Sequence, residues 1–166
     1  MRYSDIKIED MNNGPGLRIT MWVCGCEFKC PGCFNEKLWN FKAGDDYTQE
    51  TEDDLIELLR PEHIHGLTLL GGEPLHEANS PTLEKLVKRV REELPNKTIW
   101  SYTGNRYEKV QDLELVKNLD VLIDGLFVAK LYDPNYKYAG STNQRVIDIK
   151  KTMNEGKVVI YSDDLF

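Results

Sequence analysis

Hydrophobic and polar positions alternate along the chain with periods that predict its elements. Leu17–Val23 (LRITMWV) is a β-rich run bounded by Gly16 and Gly25, and it predicts a strand. Just before it, Asn13-Gly14-Pro15-Gly16 predicts a loop in which two flexible glycines flank a proline of fixed φ. Leu55, Ile56, Leu58 and Leu59 predict a short helix over Glu50–Leu59, closed by Pro61. Gly66–Leu70 is a brief apolar run ending at Gly71-Gly72, the pattern of a buried strand. Ser80-Pro81 supply an N-cap and a first turn. Behind them Leu83, Leu86, Val87, Val90 and Leu94 keep helical spacing as far as Pro95. Thr98–Tyr102 reads as a strand, Tyr107–Asn118 as a helix through Val110, Leu113 and Val116, and Val121–Ile123 as a further strand. Val146–Lys150 and Lys157–Tyr161, around Asn154-Glu155-Gly156, predict a hairpin.

Strands alternating with helices imply right-handed βαβ crossovers and a mostly parallel sheet, hence an α/β fold. Gly71-Gly72-Glu73-Pro74, Thr103-Gly104 and Asp124-Gly125 each fall just beyond a predicted parallel strand. That rim is where parallel α/β folds bind ligands. The loop after Leu17–Val23 lies at the same end, so four loops converge on one expected site.

The chain of 166 residues, 40% apolar and 30% charged, fits one globular domain spanning residues 1–166. Its net charge of −7 argues against nucleic acid as a main partner, because phosphate binding needs a basic face. No apolar stretch is long enough to span a membrane, and the opening MRYSDIKIED lacks a signal-peptide core. The expected compartment is the cytoplasm, where thiols stay reduced.

All four cysteines lie between Cys24 and Cys33, too close together for a disulfide framework that closes long loops. Cys26, Cys30 and Cys33 have the spacing C-x3-C-x2-C. Three thiolates hold three irons of a [4Fe–4S] cubane and leave the fourth open to a cofactor, whereas electron-transfer clusters use four cysteines. The competing reading is structural zinc, with Cys24 or one of His63, His65 and His76 as fourth ligand. The single residue between Cys24 and Cys26 argues against it, and Cys24 fits better as a small buried residue ending the strand.

The C-x3-C-x2-C motif, followed by Gly71-Gly72-Glu73-Pro74 at the next strand end, resembles the radical S-adenosylmethionine enzymes. Many members of that family carry an aromatic residue before the third cysteine; here Gly32 precedes it and Phe34 follows. With Asn13–Gly16, the run Cys30-Pro31-Gly32-Cys33-Phe34-Asn35, Trp100–Gly104, Val121–Gly125 and Gly140-Ser141-Thr142-Asn143-Gln144, the chain is similar to the activases of anaerobic (class III) ribonucleotide reductase.

The resemblance implies a truncated, partial (β/α) barrel with the cluster loop at the C-terminal rim of its strands. It implies Cys26, Cys30 and Cys33 as ligands of a [4Fe–4S] cluster whose open iron binds S-adenosyl-L-methionine. Gly32, Cys33, Phe34, Gly71, Gly72 and Glu73 are carried over as cofactor contacts. Thr103 and Asp124 are added for their place at the rim, though an acidic turn residue explains Asp124 equally well. Asn143 and Gln144 either contact partner or cofactor or cap a turn. The implied activity is reductive cleavage of S-adenosylmethionine, the resulting 5′-deoxyadenosyl radical taking hydrogen from a glycine of the reductase. The implied partners are that reductase and a flavodoxin-like reductant, with a homodimer as a further expectation. No general acid or base is needed, so no catalytic carboxylate is assigned. The alternatives are an activase of another glycyl radical enzyme, a radical enzyme acting on a small molecule, and a zinc-stabilised binding module.

Overall fold

A computed structural model describes residues 1–163, in which seven strands form one open sheet with helices packed mainly on one face. In chain order the elements are β1 (Arg2–Asp10), β2 (Leu17–Val23), β3 (Asp45–Asp46), α1 (Gln49–Leu59), β4 (Ile64–Gly71), α2 (Ser80–Glu93) and β5 (Thr98–Tyr102). They continue with α3 (Tyr107–Val110), α4 (Glu114–Lys117), β6 (Val121–Asp124), β7 (Arg145–Asp148) and α5 (Ile149–Glu155). The spatial strand order is β3-β1-β2-β4-β5-β6-β7. Parallel pairing joins β2, β4, β5 and β6, and the outer pairs β3/β1, β1/β2 and β6/β7 are antiparallel. The α/β class and the parallel centre follow the sequence reading. No pairing closes the sheet into a ring among the described residues.

Period-two alternation decides which face meets the helices. Ile19, Met21 and Val23 of β2, Leu67 and Leu69 of β4, Ile99, Leu122 and Ile147 are buried in one cluster. Leu55, Ile56 and Leu59 of α1 and Leu83, Leu86, Val87 and Val90 of α2 complete it. The opposite face carries Arg18, Thr20, Thr68 and Trp100, a mixed polar and aromatic surface that is nonetheless buried. No helix among the described residues is long and apolar enough to cross a membrane.

The structure departs from the sequence reading in four places. Strands β1 and β3 were not expected: most of their side chains are exposed, so no apolar period marks them, and β1 takes its bonds from β2 on one side and, at Arg2 and Tyr3, from β3 on the other. Ser80 is the first residue of α2 rather than its cap; Asn79 holds the cap position, with its side chain turned to the carbonyls of Cys24 and Glu73. The helix expected over Tyr107–Asn118 is broken into α3 and α4, because Leu113 takes an extended backbone at ψ 131°. In the tail, the two segments expected as a hairpin do meet antiparallel at Ile147 and Ile160. The connection between them is α5 rather than a tight turn, capped by Asp148 and ended by left-handed Gly156.

Leu86→Ala, which empties a fully buried site on α2, is expected to lower the unfolding free energy by about 2–5 kcal/mol. Leu113→Ala, at a side chain 39% exposed, changes it by less than about 0.5 kcal/mol. Anaerobic urea titration of both variants measures the difference.

Candidate cluster and cofactor site

The site is assembled where β2 and β4 end side by side, Val23 opposite Gly71. Gly72 N–H donates to Val23 O and Glu73 N–H to Gly25 O, each at 2.8 Å. A Cβ on Gly71 would lie 2.6 Å from Val23 O, and one on Gly72 would lie 2.5 Å from Gly25 O. The side-chain positions of both glycines are thus filled by the backbone leading into the cysteine loop. The sequence reading takes both glycines as cofactor contacts and does not foresee this packing. Gly25 is equally confined: at φ +99° its missing Cβ leaves room for the Phe41 ring, while its N–H donates to Leu38 O at 2.8 Å. Cys24 is buried just past the end of β2, whereas the other three cysteines are only partly buried.

Cys26, Cys30 and Cys33 are free and partly exposed. Lys29 (φ +49°) and Gly32 (φ +76°) adopt left-handed backbone, which curls the loop tightly enough for Cys33 N–H to reach Cys30 O at 3.1 Å. Each sulfur faces a backbone donor. Cys26 faces the amides of Phe28 and Lys29, Cys30 that of Phe127, and Cys33 Sγ accepts from Asn35 N–H at 3.4 Å. Burial pushes the thiols of Cys26 and Cys30 up, against the pull of these donors. Iron binding would displace their protons, and amide donors of this kind stabilise and tune cluster-bound thiolates.

Among the described residues, no three His, Cys, Asp or Glu side chains gather around a point able to hold a single metal ion. The three histidines of the zinc reading are engaged elsewhere. His65 Nδ1 accepts from Leu17 N–H at 3.3 Å, His76 Nδ1 from Ala78 N–H at 3.0 Å, and His63 lies 3.4 Å from Glu9. Three free thiols in one short loop, each facing a backbone amide, suit a multi-iron group that would bond each sulfur to its own iron.

The other rim loops are held by buried carboxylates. Glu73 accepts from Gly104 N–H at 2.8 Å and Leu75 N–H at 2.9 Å, with the Thr103 hydroxyl as a further donor. Burial raises its carboxyl above the ordinary range against these donors. Asp124 accepts from Tyr107 N–H at 2.8 Å and Arg106 at 3.3 Å, and it forms a close ion pair with Arg145. Thr103 Oγ1 accepts from Asn105 N–H at 3.0 Å. The structure thus places Glu73, Thr103 and Asp124 at the rim, each bonded to protein. Gln144 does similar work: its Oε1 accepts from the amides of Gly140 and Ser141, and its Nε2 donates to Gly125 O.

A cavity of about 980 Å³ opens beside the cysteine loop. Cys33 and Phe34 line one side, the Met11–Leu17 turn another, and Tyr132–Gly140 a third. Phe34, 69% exposed, stacks with Phe127 and Tyr132 at ring centroid distances of 5.0 and 5.6 Å. Gly32 sits beside Ala129, so the segment after β6 covers the cysteine loop from outside. Trp22 lines the cavity and Trp100 is buried beneath it. Sequence reasoning missed the Tyr132–Ala139 wall, whose only signal was its proximity to Gly140–Gln144.

A family model described as a 4Fe-4S single cluster domain matches residues 12–147. An anaerobic ribonucleoside-triphosphate reductase-activating protein of Salmonella typhi is 42% identical over 150 residues, covering 88% of this chain and 97% of that protein. Proteins of the same name are 41% identical in Escherichia coli K12, over 88% of this chain and 97% of theirs, and in Enterobacteria phage T4, over 88% and 93%.

Gly72→Val forces two methyl groups against the Gly25 backbone; overpacking of this kind costs about 1–3 kcal/mol and here distorts the cysteine loop itself. The expected result is loss of bound iron, measured by anaerobic reconstitution and iron analysis. Cys24→Ala should keep full iron; loss of iron in Cys24→Ala would make it a fourth ligand.

Proposed function

The chain belongs to the family of anaerobic ribonucleoside-triphosphate reductase-activating proteins, and from that premise we propose that it installs a glycyl radical on an anaerobic ribonucleotide reductase. The observation that carries this reading is the Cys26–Cys33 loop, three amide-facing thiols at the parallel rim and one wall of a large cavity. Cys26, Cys30 and Cys33 would hold a [4Fe–4S] cluster with one open iron. The chemistry supplied by the bound groups is one-electron reductive cleavage of S-adenosylmethionine to methionine and a 5′-deoxyadenosyl radical, which takes a hydrogen atom from a glycine Cα of the reductase.

The residues of the chain hold, orient and exclude. Gly71 and Gly72 fix the cysteine loop by close backbone contact, and Glu73 ties it to the Thr103–Gly104 loop. Gly32, Cys33 and Phe34 form the cavity side of the loop and are the proposed cofactor contacts there, with Gly71 across from them. Glu73, Thr103 and Asp124 support this wall through their bonds to backbone. The sheet is not closed into a ring among the described residues, and its cavity face is taken as the inside of a truncated barrel left open. A protein loop entering that opening displaces water from the site as it docks. A flavodoxin-like protein is the proposed electron donor, and an air-sensitive cluster with free thiols suits the reducing cytoplasm.

Cys26→Ala, Cys30→Ala and Cys33→Ala are each expected to abolish the glycyl radical. Electron paramagnetic resonance of the protein mixed anaerobically with reductase, S-adenosylmethionine and reductant reads it through the splitting by the glycine α-hydrogen. Changing the reductase's radical-bearing glycine to alanine removes the signal. A protein with intact cluster and cofactor that yields no radical on the reductase would transfer the assignment to a small-molecule substrate.

A further inference from the structure

Two fully buried charges, Asp10 and Arg18, lie away from the cysteine loop, and both serve the turn between β1 and β2. Asp10 accepts from Asn13 Nδ2 at 2.6 Å, Thr20 Oγ1 at 2.8 Å and Asn12 N–H at 3.3 Å, and it pairs with Lys7 at 3.0 Å. Arg18 reaches the turn from below. Its Nε donates to Thr68 Oγ1 at 2.7 Å, Nη1 to Thr98 Oγ1 at 2.8 Å and Pro15 O at 3.4 Å, and Nη2 to Leu67 O at 2.8 Å and Thr98 O at 3.1 Å. Thr68 Oγ1 in turn donates to Asn13 O at 2.8 Å.

All of these Arg18 partners are neutral oxygens, and its guanidinium lies 5.4 Å from the centre of the Trp100 ring. Burying a charge without an anion is expensive, and an apolar residue of similar length would fill the space without that penalty. Only a guanidinium offers five donors in one rigid plane. Here that plane joins β2, β4 and β5 to one carbonyl of the turn directly, Pro15 O, and to a second, Asn13 O, through Thr68 Oγ1. Gly14, at φ +133°, lies directly on the Arg18 stem, where a Cβ would come within 2.8 Å of Cδ. Burial lowers the Arg18 pKa to about 10, so it stays charged at neutral pH. The other side of the turn, Met11–Leu17, lines the cavity shared with Cys33 and Phe34.

We propose that Arg18 is a positioning residue that presets Asn13–Gly16 as a rigid cavity wall, coupling S-adenosylmethionine cleavage to hydrogen abstraction from the partner. The coupling part of the proposal rests on the activase reading. A loosened wall admits solvent and lets the substrate segment settle away from the reacting centre, so cleavage proceeds without a stored radical.

The test uses cluster-loaded protein carrying Arg18→Met, Arg18→Lys or Thr68→Val. Amide hydrogen exchange is read over residues 11–17, and 5′-deoxyadenosine released per glycyl radical is read in the mixture with reductase. Arg18→Met is expected to keep its iron, to speed exchange in the turn about tenfold and to raise that ratio severalfold. Thr68→Val, which removes the bond to Asn13 O and one Arg18 acceptor but leaves the Arg18 contacts to Pro15 O, Leu67 O and Thr98, should move both readouts in the same direction by less. Arg18→Lys, with charge but no planar fork, should fall between Arg18→Met and the parent. If Arg18→Met does not fold, Thr68→Val decides by itself. Unchanged exchange in the turn overturns the positioning role. Faster exchange with an unchanged ratio overturns the coupling role. If the parent protein forms no glycyl radical, the activase reading fails, and exchange still decides whether Arg18 holds the turn.

Discussion

Where β4 runs out beside β2, two main chains approach so closely that neither Gly71 nor Gly72 has room for a Cβ. The hydrogen bonds Gly72 N–H to Val23 O and Glu73 N–H to Gly25 O close that contact. The remainder of the site depends on it. It sets where Gly25 sits, and so where the cysteine loop begins. It also aims Glu73, whose carboxylate reaches the backbone of the next rim loop at Gly104. A single methyl group at either glycine would separate the two strand ends and with them the geometry of all three thiols. The sequence motif is thus a packing requirement as well as a proposed part of the cofactor site.

Among the described residues, the buried charged side chains are Asp10, Arg18, Glu73 and Asp124. Each holds a loop at the cavity or the rim, and two of them, Asp10 and Asp124, also pair with a basic side chain. Glu73 holds Thr103–Gly104, Asp124 holds the start of α3 and pairs with Arg145, and Asp10 and Arg18 grip the β1–β2 turn. Such groups are a poor source of net stability, because desolvation offsets much of the attraction. They are a good source of geometry: an ionic group tied to several backbone groups permits one loop conformation and penalises the rest. A site whose reactive chemistry resides in its cofactors needs this kind of fixed frame.

The helices bury one face of the sheet almost completely, and the other face is left as a cavity floor. This asymmetry suits a protein whose substrate is another protein. Phe34 and Tyr132, both exposed, line that cavity, and Leu131, also exposed, adjoins Tyr132; a docking chain of the proposed kind would cover them. An enzyme for a small molecule would need to supply that cover itself.

Much of the architecture was legible in the sequence because it rests on local periodicity. The runs Leu17–Val23 and Thr98–Tyr102 coincide with observed strands, and α1 and α2 lie where the spacing of their leucines and valines placed them. The cysteine spacing and the Gly71-Gly72-Glu73-Pro74 motif marked the region of the site. Strand β1 was invisible because a strand with mostly exposed side chains has no apolar period. In the tail the pairing of the two segments was legible, but not α5 between them, because Val146 and Tyr161 meet across a helix and such pairing leaves no turn signature. The partners of the rim residues were beyond reach for a different reason. Whether Glu73 faces a ligand or Gly104, and whether Gly72 leaves space or fills it with the backbone of Gly25, depends on which strand ends lie side by side. Local sequence sets the elements through period and turn chemistry; only their packing decides what each polar group at their ends has left to bind.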